Sequence, residues 1–128
     1  MTVFRTLLRA KIHRAVVSAA DLHYNGSLTV DRTLLEAGGM REYEMVQVVN
    51  VENGARFETY LIAGEPDTGV VQVNGAAARL AAVGDHIIVM AYAQVSEPVP
   101  VIWEPRIVLV DERNRVLQAQ PHGGEPCC

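Results

Sequence analysis

Short runs of aliphatic and β-branched residues, separated by turn signals at regular intervals, are the feature that most constrains the fold of this chain. Asn-Gly occurs at residues 25–26, 53–54 and 74–75, and both residues of this pair tolerate the positive φ angles of tight turns. The pattern predicts about six or seven short strands, with turns roughly every eight to twelve residues. A small, mainly β barrel or sandwich is therefore expected, and periodicity leaves both architectures open.

Individual elements follow from the local pattern. Residues 45–51 and 56–63 predict a hairpin around residues 52–54, because both runs are aliphatic or β-branched and the connection contains Asn-Gly. Asp31 is a predicted N-cap for a short helix over residues 33–37 that ends at Gly38 and Gly39. Residues 3–17 fit helical and strand periodicity alike. The remaining predictions are strands at residues 28–30, 70–73, 86–95 and, as the last strand, 107–110, a helical turn at residues 76–80 capped by Asn74, and a frayed tail from residue 118.

Composition and charge limit the range of functions. With 128 residues and 49% hydrophobic side chains, the chain is expected to form one domain with an ordinary core. The net charge of −4 gives no reason to expect a nucleic acid or an anionic membrane as a partner. Basic residues at positions 5, 9, 11 and 14 interrupt any apolar run long enough for a signal peptide or a membrane span. A cytoplasmic location is therefore expected.

Neither a metal site nor a nucleotide site is predicted. The histidines are scattered, at positions 13, 23, 86 and 122, and the only cysteines, Cys127 and Cys128, are adjacent at the end of the chain. No histidine and carboxylate spacing typical of a metal-binding helix occurs, and no glycine-rich phosphate-binding motif occurs. An electrophile for catalysis would have to come from the chain itself.

The stretch at residues 21–27 has two interpretations. Asn25-Gly26 is typical of a simple hairpin turn. Alternatively, the Ser27 hydroxyl attacks the preceding carbonyl through a five-membered ring and converts the Gly26–Ser27 amide into an ester. Gly26 can take the strained backbone conformation that this attack requires, because it lacks a Cβ. Loss of the Ser27 Cα proton and of the ester oxygen would then leave dehydroalanine, which hydrolyses to a ketone, so that the new chain begins with a pyruvoyl group.

Several separate motifs favour the second interpretation. They occupy residues 11–14, 20–31, 53–56 with 59–60, and 73–78. Their order and spacing are those of the pyruvoyl-dependent aspartate 1-decarboxylase family. The chain resembles this family from about residue 3 to residue 113. The resemblance implies a six-stranded double-psi β-barrel with short helices, formed by residues 1–115. It also implies self-cleavage into chains 1–26 and 27–128, and residues 116–128 are expected to form a flexible C-terminal tail.

The resemblance further implies a lyase that decarboxylates L-aspartate at its α-carboxylate. The ketone at residue 27 would form an imine with the substrate amine, and the products would be β-alanine and CO2, with β-alanine supplying pantothenate and coenzyme A synthesis. The covalent pyruvoyl group would be the cofactor, with no metal and no pyridoxal phosphate. A homotetramer with pockets between subunits is implied, and any maturation partner protein is left unidentified.

The family's chemical roles fall on particular residues of this sequence. By resemblance, Ser27 is the pyruvoyl source, Gly26 supplies the scissile carbonyl, Thr59 stabilises the oxyanion of cleavage and Tyr60 returns a proton to the decarboxylated carbon. The residues that bind the substrate or line its pocket are Arg56, Lys11, Asn74, Gly75, Ala76, Ala77, His13, Tyr24 and Ile88.

Strand alternation places constraints on these roles. If residues 9–17 are extended, Lys11 and His13 share a face, although such a segment is also typical of a solvated basic edge strand. Arg56 and Tyr60 should share one face of their strand, and Thr59 should lie on the other. Without the resemblance, Tyr60 would be interpreted as packing and Arg56 as a solvated cross-strand partner.

A rival hypothesis from another class is an uncleaved β-barrel that acts as a binding or regulatory module, because a fold does not determine a function. The acidic net charge argues against a DNA partner for such a module.

Overall fold

The computed structural model describes residues 1–121, which form a single mixed β-sheet with little helix. Within this part, no helix is long and apolar enough to cross a membrane. The elements are β1 (Phe4–Val16), β2 (Ala19–Asp21), β3 (Ser27–Asp31), α1 (Arg32–Gly38), β4 (Met45–Asn50), β5 (Arg56–Gly64), β6 (Val71–Asn74), a 3₁₀ turn (Gly75–Arg79), β7 (His86–Ser96), β8 (Arg106–Val110) and β9 (Val116–Pro121).

The order of strands forces the sheet to curl. The order is β2-β6-β3-β5-β4-β7-β1-β8-β9, so β2 and β1 are six strand positions apart. A flat sheet would separate them by about 29 Å at ~4.8 Å per strand. Only Val17 and Ser18 connect them, and three Cα–Cα steps span at most about 11 Å. The sheet therefore bends back on itself into a small barrel, although hydrogen bonds do not close it.

The mainly β prediction is confirmed, but the described residues form nine strands and not six. Six strands, β6-β3-β5-β4-β7-β1, are contiguous in the centre of the sheet. The short β2 adds to one edge and the β8–β9 hairpin to the other. The ambiguous N-terminal segment is a strand, β1, paired with β7 over most of its length.

The prediction of a tail from residue 116 is wrong for residues 116–121. These residues form β9, which pairs antiparallel with β8, so residues 107–110 are not the last strand either. The pairing was not visible in the sequence, because a short edge strand needs only one neighbour and little apolar alternation. The part of the expected tail after residue 121 lies outside the described residues.

Alternation along the strands separates a core face from an outer face. Side chains at every second position of β4 and of the first half of β7 are buried, as the two-residue period of a strand requires. The largest fully buried side chains are Ile12, Val17, Leu28, Val30, Leu34, Val46, Val48, Leu61, Val71, Val73, Ile87 and Val89. The helix α1 contributes Leu34 and Leu35 to the same core.

The end of β3 is fixed by a buried carboxylate, as the sequence predicted. Asp31 caps α1 by accepting from the Thr33 N–H at 2.8 Å, and it also accepts from the N–H groups of Asp67 and Gly69 at 3.0 and 2.8 Å. Burial alone would raise the pKa of Asp31, but these backbone donors lower it below its ordinary value. The charged carboxylate therefore holds both the helix and the 65–69 loop on the strand that begins with Ser27.

His86 links two turns at one end of the sheet. Its Nδ1 lies 2.7 Å from Glu52 Oε2, and its Nε2 lies 3.1 Å from Glu112 Oε2. Hydrogen bonds to Glu112 and then Glu52 raise the pKa of His86 above its ordinary value of 6.5. The protonated imidazole thus ties the turn after β4 to the turn after β8.

The ion pairs of His86 predict a pH-dependent component of stability. Because the folded-state pKa is raised, the stabilisation is complete below about pH 6.5 and is lost as pH rises through the folded-state pKa. We expect the melting temperature to fall as pH rises from about 6 to 9, and His86→Gln to lose this component. Both proteins should carry Ser27→Ala, so that each sample is one uncut chain. An identical pH dependence in the two proteins would contradict the assignment.

Candidate active site

Ser27 lies at the first position of β3 and is almost completely buried. Its hydroxyl donates to the Asn25 carbonyl oxygen at 2.9 Å and accepts from the Asn74 Nδ2 group at 3.0 Å. The antiparallel register pairs Ser27 directly with Asn74, so the backbone ladder sets this contact. The result is a serine oxygen with a fixed donor, a fixed acceptor and the Gly26 peptide immediately before it.

The strained backbone lies at Gly75 and not at Gly26. Neither Asn25 nor Gly26 has a positive φ angle, whereas Gly75 has φ of 71°, so Asn25-Gly26 does not form the positive-φ turn of the simpler interpretation. A Cβ on Gly75 would lie 2.6 Å from Gly26 Cα, 2.8 Å from Gly26 N and 3.1 Å from the Tyr24 carbonyl oxygen. A Cβ on Gly26 would meet nothing within 4 Å. The glycine requirement therefore belongs to Gly75, the residue that packs against the 24–26 segment.

Asn74 is completely buried, and its amide has three partners. Its Nδ2 donates to Ser27 Oγ and to Thr29 Oγ1, both at 3.0 Å, and its Oδ1 accepts from Gln72 Nε2 at 2.7 Å. The predicted capping of the following turn by the Asn74 side chain is wrong, since no side-chain cap bond forms there. The side chain is directed to the β3 hydroxyls because Asn74 is still extended, with φ of −112° and ψ of 147°.

The other residues expected around Ser27 lie in the two loops that flank it. Tyr24 is half exposed in the 22–26 loop, where its N–H approaches the Asp21 carbonyl oxygen at 3.4 Å. Ala76 and Ala77 follow Gly75 in the 3₁₀ turn, with Ala76 exposed and Ala77 packed against the core. The structure therefore brings Gly26, Ser27, Tyr24, Asn74 and Gly75 together.

Residues of β5 divide between the two faces of the sheet as alternation predicts. Arg56, Glu58 and Tyr60 are exposed. Thr59 is half-buried on the other face, between Phe57, which packs against the core, and Leu61, which belongs to it. Leu28 pairs with Leu61, so Tyr60 lies beside Ser27 at the same level of neighbouring strands. Tyr60 also contacts the Tyr43 ring at a centroid distance of 6.3 Å.

The cationic residues lie on other parts of the sheet than Ser27. Lys11 is on β1, four strand positions from β3 in the order of the sheet, and its side chain is largely buried. Arg56 precedes Tyr60 by four residues on β5, about 13 Å along the strand. Arg56 is held by Gln47, whose Oε1 accepts from its Nη2 at 3.1 Å and from the Tyr92 hydroxyl at 3.0 Å.

Register relates these distant residues to one another on the outer face. Arg56 pairs with Val49, and Val49 pairs with Ile88. Lys11 pairs with Met90, two residues beyond Ile88 on β7. A cavity of about 470 Å³ lies on this face and is lined by Gln47, Glu58 and Tyr92 among others, and not by Ser27 or Asn74. The expected site residues therefore form two groups, one around Ser27 and one across β1, β7 and β5.

His13 belongs with the second group. It pairs with Leu109 in the regular β1–β8 ladder that also contains Lys11, so the two share a face as predicted. Its Nδ1 atom is buried without a hydrogen-bond partner in the described residues. Burial lowers the pKa of His13, and the charges of Lys11 and Arg14 lower it further. The neutral imidazole is therefore favoured at this position.

Two polar neighbours of Asn74 were missed in the sequence. Thr29 and Gln72 lie in direct contact with Asn74, and each is two residues from an expected site residue on the same strand. The alternation of polar and apolar residues in 27–30 and 71–74 is the signal that would have found them. Among the described residues, no group of three or more His, Cys, Asp or Glu side chains could hold a metal ion.

Fold and site together define a small β-barrel protein with a buried serine at the start of a strand, bracketed by an amide and by a close-packed glycine. Comparison with known proteins makes the class specific. The family model described as aspartate decarboxylase matches residues 3–117, and the chain belongs to that family.

Relatives named aspartate 1-decarboxylase cover most of the chain. The protein of Leptospira biflexa is 56% identical over 115 residues, which is 89% of this chain and 98% of the relative. The protein of Lactiplantibacillus plantarum is 52% identical over 120 residues, covering 91% and 92%. The protein of Neisseria meningitidis is 54% identical over 114 residues, covering 89% and 90%.

The contact between Gly75 and Gly26 predicts a difference between two glycine substitutions. Gly75→Ala places a Cβ against the Gly26 backbone at a positive φ angle, so we expect the free energy of unfolding to fall by about 2 kcal/mol or more and the expected cleavage before Ser27 to fail. Gly26→Ala is the matched control for stability, because its Cβ points into open space. Denaturing electrophoresis gives the cleaved fraction and thermal melting gives the stability. An equal loss of stability in the two variants would contradict the packing argument.

Proposed function

We propose that this chain is a self-processing lyase that decarboxylates L-aspartate to β-alanine and CO2 through a pyruvoyl group made from Ser27. The observation that carries the proposal is the Ser27 hydroxyl, held between the Asn25 carbonyl and the Asn74 amide directly after Gly26. Family membership supports aspartate as the substrate. The β-alanine produced would supply pantothenate and coenzyme A synthesis.

Self-cleavage needs only atoms of the chain and one water molecule. The Ser27 oxygen attacks the Gly26 carbonyl carbon, and the C–N bond breaks to give an ester and a free amine on Ser27. Loss of the Ser27 Cα proton expels the Gly26 carboxylate and leaves dehydroalanine. Water then replaces the nitrogen, which leaves as ammonia. The products are chain 1–26, ending in a carboxylate, and chain 27–128, beginning with a ketone.

Asn74 is suited to guide the first step. Its donor to Ser27 Oγ fixes the oxygen while the hydroxyl proton points to the Asn25 carbonyl, so the remaining lone pair is free to attack. A buried, pre-oriented hydroxyl loses no solvation at the moment of reaction. Thr59 is proposed as the donor to the oxyanion of this step.

Decarboxylation itself requires an electron sink, and the ketone at residue 27 would supply it. Arg56 suits the binding of a substrate carboxylate, because its planar guanidinium can donate two parallel hydrogen bonds. Lys11 would add a point charge on the same outer face. Tyr60, on the strand next to Ser27, is proposed to return a proton to the carbon that loses CO2.

We also propose that each pocket is shared by two subunits of a homotetramer. Within one chain, four strand positions separate Lys11 on β1 from the Ser27 strand. Arg56 lies some 13 Å along β5 from Tyr60, which is beyond the reach of an arginine side chain. A neighbouring copy would bring its own outer face, with Lys11 and Arg56, over Ser27 and Asn74. It would also allow Thr59 and Tyr60, which lie on opposite faces of one strand, to line different walls of the pocket.

Intact mass under denaturing conditions tests self-processing. We expect two chains from the natural sequence, with the larger one lighter than a Ser27-initiated chain by one ammonia. Ser27→Ala should remain whole and inactive, because it has no attacking oxygen, while melting like an ordinary folded barrel. A single uncleaved mass in a preparation that forms β-alanine would refute the mechanism. An uncleaved, inactive natural chain would favour the binding or regulatory module instead.

Co-expression of two inactive variants tests the shared pocket. Ser27→Ala lacks the ketone and Arg56→Ala lacks the carboxylate partner, so each should be inactive alone. In a mixed tetramer, about one pocket in four combines Ser27 of one chain with Arg56 of the other, and β-alanine formation should recover to that extent. Light scattering checks the tetramer mass. Recovery that stays at the background of the separate variants would place the whole pocket within one chain.

A further inference from the structure

Four polar side chains form a two-by-two array on the outer side of β3 and β6. Ser27 pairs with Asn74 and Thr29 pairs with Gln72 in the antiparallel register. The residues between them, Leu28 and Val73, are in the core. We call these four residues the polar quartet. Ser27 and Asn74 are almost completely buried, whereas Thr29 and Gln72 are half-buried at the edge of the array.

An asparagine amide in this position has two possible orientations. It has an oxygen acceptor at one corner and an NH₂ donor at the other, and the two are almost identical in shape. The hydroxyls of Ser27 and Thr29 can donate or accept, so they accept either orientation of Asn74. Two groups therefore bear on which corner faces Ser27: the Asn25 carbonyl, which can only accept and holds the Ser27 proton, and the group on the other side of the amide.

Gln72 is that group. Its Nε2 donates to Asn74 Oδ1 at 2.7 Å, the shortest contact in the polar quartet. With the oxygen engaged there, the two N–H bonds of Asn74 point to Ser27 and Thr29. The amide oxygen and both amide hydrogens are then used, which is what a fully buried amide requires.

We infer that Gln72 is a positioning residue for self-cleavage: it orients the Asn74 amide so that Ser27 receives a donor and its own proton points to Asn25. This inference rests on the proposed function. In the flipped orientation, Asn74 Oδ1 would accept the Ser27 proton, and the hydroxyl would turn away from the Asn25 carbonyl. The oxygen would then lose the donor that holds it beside the Gly26 carbonyl.

Reversing the hydrogen-bonding direction at residue 72 tests the inference. Gln72→Glu keeps the size of the side chain, but its ionised carboxylate can only accept, so Asn74 must turn its NH₂ group toward it. We expect cleavage at about pH 8 to slow at least tenfold relative to the natural chain. At about pH 4 most of the introduced carboxyl is protonated and can donate again, because the ordinary pKa of a glutamate is about 4.3, so the ratio of the two rates should return toward one.

The surroundings of Gln72 make this pH response specific to the introduced carboxyl. Its strand neighbours are Ala19 on β2 and Thr29 on β3, and neither titrates. The nearest carboxylate on β2 is Asp21, opposite Asn74, and its side chain accepts from the His23 N–H at 3.0 Å. A merely structural loss at residue 72 would slow cleavage without recovery at low pH.

Two matched variants complete the experiment. Gln94→Glu makes the same chemical change on β7, away from Ser27, and should cleave like the natural chain. Gln72→Met removes the donor without adding an acceptor, so it should slow cleavage by about threefold at both pH values. Cleavage is followed by intact mass in pulse-labelled, freshly synthesised chains, and melting is measured in a Ser27→Ala background.

The outcomes separate failure of this inference from failure of the proposed function. If the natural chain never cleaves, the proposed function is wrong. If it cleaves and Gln72→Glu cleaves at the same rate at both pH values, Gln72 has no orienting role. Slow cleavage of Gln72→Glu without recovery at low pH would also overturn the inference. Should that variant fail to fold, a natural rate for Gln72→Met would refute it.

Discussion

The antiparallel pairing of β3 with β6 is the interaction on which the site depends. It places Ser27 opposite Asn74 and buries both. A buried hydroxyl and a buried amide cost free energy unless each donor and acceptor finds a partner, and the polar quartet supplies those partners. The hydrogen bonds that offset the free-energy cost of this burial also fix the serine oxygen, its proton and its neighbouring peptide. Stability and chemistry therefore rest on one set of hydrogen bonds.

Curling of the sheet determines which residues can reach this pair. The two-residue connection from β1 to β2 bends the sheet, yet the outer face remains convex, and side chains on it diverge. Lys11 lies on β1 and Arg56 lies at the end of β5 remote from Tyr60, so neither pairs with Ser27 in the sheet. A convex surface can form a closed pocket only with a second surface against it, which is the physical basis of the proposed sharing between subunits.

Much of the fold could be predicted because its signals are local. The 45–63 hairpin and the Asp31-capped helix follow from turn residues, alternation and a capping carboxylate. The β8–β9 hairpin could not be predicted, since a short edge strand carries little pattern of its own. For the site, alternation placed Thr59 and Tyr60 on opposite faces. The packing of Gly75 against Gly26 could not be predicted, because this constraint comes from backbone that is distant in sequence. Gln72 was missed, although strand alternation places it on the same face as Asn74.

The two sides of Gly26 differ in how closely other residues pack against them, and each side suits one part of the proposed cleavage. On one side, Gly75 approaches so closely that a Cβ there would lie 2.6 Å from Gly26 Cα, and on the other side a Cβ at Gly26 would meet nothing within 4 Å. The 24–26 segment is thus packed against Gly75 on one side and open to solvent on the other. In the proposed cleavage, attack by Ser27 would need the packed side, because a peptide that can retreat loses the alignment of oxygen and carbonyl. Departure of the Gly26 carboxylate would need the open side, because the new charge must reach solvent as the bond to Ser27 breaks.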